Sequence, residues 1–328
     1  MNTLQITLFR LNSRLAPGRA PGLVIRCLAI VALVASLSLA AGGATPSKRF
    51  ATPEEAVVAL AAAVNAEDTN ALRAIFGSAA AEIENPDRVQ ATNEFRTFAA
   101  ALQATNRIVR VSDGKCVLEV GENGWPFPVP LVKEGDQWFF DTAAGKEEIL
   151  NRRIGKNELA VLQAVRAYVD AQREYASRDR TGDEVLEYAQ RLFSSPGTKD
   201  GLYWPVELDG ELSPLGPLMA EAQGEGYEVK QSKENAPPTP FHGYYFRILT
   251  RQGRHAPGGK YRYIINGHMI AGFGLVAWPA RYGESGIMTF IVNQQGRVYE
   301  KDLGPKTAKL APAIKEYAPD STWRASPD

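Results

Sequence analysis

The chain reads as an α+β protein of two domains: N-terminal helices followed by a small antiparallel meander, then a long helix packed on a second antiparallel sheet. Three helix-patterned segments come first. The hydrophobic period then switches from helical to two after about residue 105, and a second succession of helix and strands fills the remainder. The expected boundaries are residues 1–44 for a leader, 45–145 for the first domain and 146–328 for the second.

The leader carries Arg10, Arg14, Arg19 and Arg26 and no acidic residue. The apolar run LAIVALVASLSLAA follows, and then small residues, Ala40, Gly42 and Ala44. A basic segment, a short apolar run and a small-residue exit make a secretory signal peptide, or an anchor if retained. The apolar run is too short to span a bilayer comfortably, and no other segment approaches the needed length, so no transmembrane segment is expected after cleavage. Cys27 precedes the apolar run and so is not a lipidated cysteine; without the leader, Cys116 is the only thiol, which excludes an intramolecular disulfide and multi-cysteine zinc sites. Cys116 lies in KCVLEV, a strand-like run, and reads as a small buried hydrophobe. The whole chain has 37 basic and 37 acidic residues; loss of the four leader arginines leaves 33 against 37. That balance provides no electrostatic footprint for nucleic acid.

Thr52-Pro53 with Glu55 is a helix start, and Val57, Leu60, Ala61 and Val64 continue on one face. Asp68 caps a second helix that Gly77 ends, and Val89 to Leu102 forms a third. RIVRVS, KCVLEVG, FPVPLVKEG and QWFFD are strands, with Asp113-Gly114 and Glu134-Gly135-Asp136 as turns. A long helix runs through AAGKEEILNRRIGKNELAVLQAVRAYVDAQREYASRD, with a break or bend expected at Gly155. Beyond it Leu159, Leu162, Val165, Tyr168, Val169, Gln172 and Tyr175 form its apolar stripe. A loop-rich stretch and a polar insert, KQSKENAPPTP, lead to the strands GYYFRILT, YRYII, HMIAGFGLVAW, IMTFIVNQ and RVYEKDL. Gly272, Gly274, Val276 and Trp278 share one strand face, where the long helix is expected to cross.

The segments PFPVPLVKEGDQWFFDTAAGKEEILNRRIGKNEL, EYAQRLFSSPGTKDGLYWP and NGHMIAGFGLVAWPARYGESGIMTFIVNQQGRVYEKDLG resemble an exported bacterial family catalogued as domain of unknown function 2950. The resemblance covers most of the chain after the leader and implies export, but no activity or catalytic residue. The second half is also distantly similar to type IV pilin-like globular domains, through AVRAYVDAQREYA, GYYFRI, VAWPARYGESG and TFIVNQQGRVY. That likeness implies a helix laid across a small antiparallel sheet. The polymerising apolar N-terminal helix of pilins is missing from this sequence, so filament formation is not implied.

Four sets of residues are candidates for chemistry. Gly283-Glu284-Ser285-Gly286 resembles a serine-protease nucleophile loop, with His242 or His268 as the base. Ile287 stands where that loop needs glycine, and the competing reading is a turn between strands. The three histidines, His242, His255 and His268, could join Glu284 or Asp302 at a metal, but their regular spacing is not a ligand pattern. In DRTGDEVLEYA, Asp179, Asp183 and Glu187, with Asp200 further on, would suit calcium. Glu184 and Gln190 at positions six and twelve exclude an EF-hand, and the competing reading is a helix end at Gly182 with Asp183 capping another helix. Last, Tyr203, Trp204, Tyr244, Trp278 and Tyr282 would suit a carbohydrate or peptide surface if exposed, and core if not.

The expected function is that of an exported, periplasmic or secreted, non-enzymatic binding or assembly module with an envelope protein or glycan as partner. No cofactor is required by this reading, calcium being the one alternative. A secreted serine hydrolase using Ser285 with His242 or His268 is the competing function.

Overall fold

The computed structural model describes residues 46–208, 210–228 and 239–327. The leader and residues 230–238 of the polar insert lie outside the described residues. The described residues form one compact unit.

The first half follows its sequence signals closely. Helix α1 (Pro53–Asn65) starts where the Thr52 hydroxyl accepts the Glu55 N–H at 3.1 Å, while the Glu55 carboxylate reaches back to the Ala51 N–H. Asp68 caps α2 (Thr69–Phe76) and Asp87 caps α4 (Arg88–Ala104); a short α3 (Ala80–Ile83) lies between them. Strands β1 (Asn106–Ser112), β2 (Lys115–Val120), β3 (Trp125–Pro126), β4 (Leu131–Glu134) and β5 (Gln137–Phe140) form an antiparallel sheet in the order β1-β2-β4-β5, with β3 on β2. Leu60, Val64, Leu102, Leu118, Leu131 and Phe140 are buried between helices and sheet, and Cys116 is buried with them.

Helix α5 (Thr142–Tyr175) links this core to the next. Its 34 residues extend about 50 Å at the usual helical rise. Contrary to expectation, Gly155 does not break it: the glycine is exposed, the helix is unbroken, and each neighbouring turn is anchored. Before Gly155, the buried Arg153 guanidinium donates to the carbonyls of Ile83 and Glu84. After it, the Asn157 amide donates to the Ser285 carbonyl. The apolar stripe begins at Val161, not Leu159, which faces solvent; Val161, Val165, Tyr168, Val169, Gln172 and Tyr175 are buried. The expected boundary at residue 145 falls in the first turn of α5, where Gly145 packs against the backbone of Pro128 and Val129 too closely for any side chain.

In the second half, the region expected to be loop contains α6 (Gly216–Glu225), ended by left-handed Gly226. Then come β6 (Tyr244–Leu249) and the short strands β7 (Arg251–Gln252), β8 (Tyr261–Arg262), β9 (Ile264–Ile265) and β10 (His268–Met269). The last strands are β11 (Gly274–Pro279), β12 (Met288–Asn293), β13 (Tyr299–Asp302) and β14 (Arg324–Ala325). The main sheet is antiparallel in the order β14-β13-β12-β11-β6, which leaves β6 at an edge.

Helix α5 covers the face of this sheet that carries Leu275, Ala277, Phe290 and Val292, together with Phe273. This corrects the expectation that the helix crosses the glycine face. The glycines are explained by neighbours within the sheet: a Cβ on Gly274 would lie 3.3 Å from the Leu249 Cβ, and one on Gly272 would lie 2.9 Å from the Gln294 side chain. The glycine face, with Val276, Trp278, Leu249 and Ile291, is instead closed by C-terminal residues including Ala311 and Tyr317; the short α7 (Thr307–Leu310) lies in that segment. Among the described residues no helix is long and apolar enough to cross a membrane.

Candidate functional site

Ser285 sits in the link between β11 and β12 and is 1 % exposed. Its hydroxyl accepts the Arg281 N–H at 3.0 Å and donates to the Arg281 carbonyl at 3.1 Å. Gly283 has φ 77° and its N–H bonds the Gly286 carbonyl, which closes the turn. Glu158 on α5 holds the far side of the turn, accepting the N–H groups of Ile287 and Met288 at 2.8 and 2.9 Å. A nucleophile needs a base within hydrogen-bond reach. No histidine among the described residues bonds the Ser285 hydroxyl, whose donor and acceptor are both engaged by backbone.

The histidines lie in separate surroundings. Gln90 on α4 donates its amide to His242 Nδ1 at 3.0 Å and to Asn157 Oδ1 at 2.8 Å. Nδ1 is therefore an acceptor, and the ring is neutral with its proton on Nε2, which is 3.2 Å from the Glu225 carboxylate. Burial pushes the His242 imidazole below its ordinary pKa, against the opposing pull of Glu225. The chain Gln90–Asn157–Ser285, with His242 beside it, ties α4, α5 and the turn after β11 together. His255 is exposed beside Arg254. His268, on β10, faces Asp183 and Glu187.

The residues weighed for calcium divide. Asp179 is turned into its own loop, where its carboxylate accepts the N–H groups of Thr181, Gly182 and Glu184 and is held below the usual carboxylate range by those bonds. Asp200 likewise serves the Ser195 and Thr198 groups. Asp183 and Glu187 do converge, on His268, a partner the local sequence pattern did not include. Asp183 also caps no helix: the residues after it run irregularly to Gln190, and α5 has already ended at Tyr175. Of the aromatic candidates, Trp204, Tyr244 and Trp278 are buried, and Tyr203 and Tyr282 are half-buried. The Tyr244 hydroxyl donates to the Met288 carbonyl at 3.0 Å. Trp204, Tyr244 and Trp278 are core, and the two half-buried tyrosines alone make no broad stacking surface.

The feature open to a partner is the free edge of β6. Tyr244 exchanges both backbone hydrogen bonds with Phe241, on the side away from β11. Strand alternation then aims the N–H and C=O of Phe246 and Ile248 the same way. At the far end, the Thr250 carbonyl on that side accepts the Tyr263 N–H at 2.9 Å. Between these closed ends, no described residue bonds the backbone of Phe246 or Ile248. Beside them lies a groove of about 770 Å³ whose other wall is the segment Gln190–Pro196. Leu192, Phe193, Phe246 and Ile248 supply apolar surface, and the exposed Arg191 adds a positive charge. The wall is held in place from behind: Ser194 N–H donates to the Tyr203 carbonyl, Tyr203 N–H donates to the Leu192 carbonyl, and Leu202 N–H donates to the Arg191 carbonyl. Sequence reading passed over this groove because a sheet edge is set by topology and not by residue type.

The signature of a family described as Protein of unknown function (DUF2950) matches residues 47–326, nearly the whole described chain. The chain belongs to the DUF2950 family. No curated protein and no solved structure matches it. The groove and the three-residue cluster are thus features of a DUF2950 protein that must be read from their own geometry.

Proposed function

We propose that this protein is an exported, non-enzymatic binding module of the cell envelope that captures an extended segment of a partner protein by strand addition along β6. The observation that carries the reading is the pair of unbonded backbone stations at Phe246 and Ile248, facing a groove of mixed polar and apolar lining. A peptide strand satisfies exactly such stations and places alternate side chains into the groove. The short open stretch, closed by Phe241 at one end and Tyr263 at the other, limits the inserted strand to a few residues. Arg191, exposed at the groove and paired with Asp200 at 3.7 Å, sets a polar end to the apolar surface. Export is supported by the basic, apolar and small-residue succession of the first 44 residues. The engaged Ser285 hydroxyl supports a binding role over a hydrolytic one.

A photo-crosslinking residue in place of Leu192, expressed in cells, tests this reading. The account expects an envelope protein to be captured from that position and not from Val58, which is exposed on α1. Capture should fall away in Ile248→Pro, because proline removes the outward N–H while the ladder to β11 does not use it. A well-folded protein that captures the same partner equally from both positions, or in the presence of Ile248→Pro, contradicts it.

A further inference from the structure

We propose that Asp183, Glu187 and His268 form a binding site for a divalent transition-metal ion of the zinc class. One ligand atom from each lies within 4.8 Å of the others. His268 Nδ1 is 3.4 Å from Glu187 Oε2 and 3.6 Å from Asp183 Oδ2. A metal with Zn–N and Zn–O bonds of about 2.0–2.1 Å in tetrahedral geometry separates its ligand atoms by roughly 3.3 Å. Two edges of the triangle are close to that length, and the third, Asp183 to Glu187, lies within 4.8 Å, so a metal draws the three together by side-chain movement alone.

A second observation points to a ligand. His268 Nδ1 is shielded from solvent and has no hydrogen-bond partner, although two carboxylates face it. A shielded ring nitrogen is ordinarily paired, and one set among acidic oxygens without a hydrogen bond is the arrangement a metal completes. The carboxylates are also oriented from outside the triangle. Asp183 uses its other oxygen to accept the Val185 N–H at 3.0 Å, and Glu187 is held by the Met269 N–H, donated at 3.2 Å to the same Oε2 that faces His268. Such secondary bonds fix a ligand before the ion arrives.

The donor set decides the class of ion. Calcium takes six to eight oxygen ligands, and magnesium binds through oxygen and water; an imidazole with two carboxylates suits zinc, cobalt, nickel or manganese. Three protein ligands leave coordination positions for water, and Asp183 lies at the exposed side of the cluster. The ion would tie the segment that leads into the groove wall to β10, a connection now made by the Tyr188 N–H to the Met269 carbonyl and the Gln190 amide to the Gly267 carbonyl.

The test uses the full chain after leader removal, stripped with chelator and titrated with zinc by calorimetry, and with cobalt by absorption spectroscopy. The expected result is one equivalent of zinc bound, a cobalt spectrum of low coordination number, and no displacement by excess calcium. His268→Ala should abolish the cobalt spectrum, and Asp183→Asn, at an exposed position that leaves the fold intact, should weaken zinc by roughly tenfold or more. His255→Ala should change nothing. Absence of zinc binding to folded protein, or binding that Asp183→Asn and His268→Ala leave unaltered, overturns the proposal and leaves the cluster as ion pairs alone.

Discussion

Gly201 and Gly197 lie in one loop behind the groove wall, and alanine at the first should cost clearly more than alanine at the second. A Cβ on Gly201 would lie 2.6 Å from both the Phe193 carbonyl carbon and the Ser194 nitrogen. Those are backbone atoms, and they cannot swing aside as a side chain would. Ser194 is fixed further by its N–H on the Tyr203 carbonyl at 2.8 Å and by its hydroxyl, which accepts the Gly201 N–H at 3.0 Å. Inserting a methyl therefore either strains the backbone or breaks these bonds. Overpacking of this kind costs about 3 kcal/mol, the top of the usual range. In a chain of this size each kcal/mol lowers Tm by roughly 2–4 °C, so Gly201→Ala should melt about 6–12 °C lower. Gly197 has φ 78° and no atom within 4 Å of its Cβ position, so Gly197→Ala meets only the left-handed backbone cost of about 1–2 kcal/mol. Differential scanning calorimetry of the two variants with the parent provides the comparison. A Gly201→Ala protein that melts with the parent, or below which Gly197→Ala falls, refutes the argument that the groove wall is packed backbone on backbone.

Stability should also depend on pH through His242. Its folded pKa lies below the unfolded value of 6.5, so the unfolded chain takes up the proton first as pH falls. The contribution is complete above pH 6.5 and is lost below it, by up to about 1.4 kcal/mol per pH unit until the folded pKa is reached. Tm measured across that window should fall, and His242→Asn, which tolerates the residue's φ of 46°, should flatten the fall. Glu158→Ala strips the acceptor from the Ile287 and Met288 N–H groups and should cost about 2–3 kcal/mol in denaturant unfolding, with Glu158→Gln retaining part of the loss. Ser285 should resist fluorophosphonate labelling in folded protein, and Ser285→Ala should cost about 1–2 kcal/mol through its turn bonds; labelling that disappears in that variant would revive a nucleophilic role.

Local chemistry in the sequence carried the first half of the fold. Thr52, Asp68 and Asp87 cap their helices through bonds within three residues, and the Asp113-Gly114 and Gly135-Asp136 turns join neighbouring strands, so each signal is complete within a short window. What depended on distant contacts was less legible. Gly155 carries helical cost, but the Arg153 and Asn157 bonds to other elements hold the helix through it. Gly274 of β11 signalled close approach, and the neighbours proved to be Val292 and Leu249 on the adjacent strands, a pairing that strand register decides. The same holds at the sites. Asp183 and Glu187 stand out locally as carboxylates, whereas His268 joins them from about eighty residues away only because β10 packs beside that segment. The open stations at Phe246 and Ile248 have no residue signature at all, since β6 becomes an edge by its place in the strand order.

Strand addition makes a claim about backbone atoms, and a backbone scan tests it most directly. A peptide selected for binding to the folded protein would be resynthesised with a single N-methyl group at each position in turn, and each version titrated. Only alternate residues of an added strand donate to β6, so N-methylation should abolish binding at every second position across the few residues that lie over Phe246 and Ile248, and be tolerated between them. Uniform tolerance, or loss with no alternation, would contradict capture along the edge of β6.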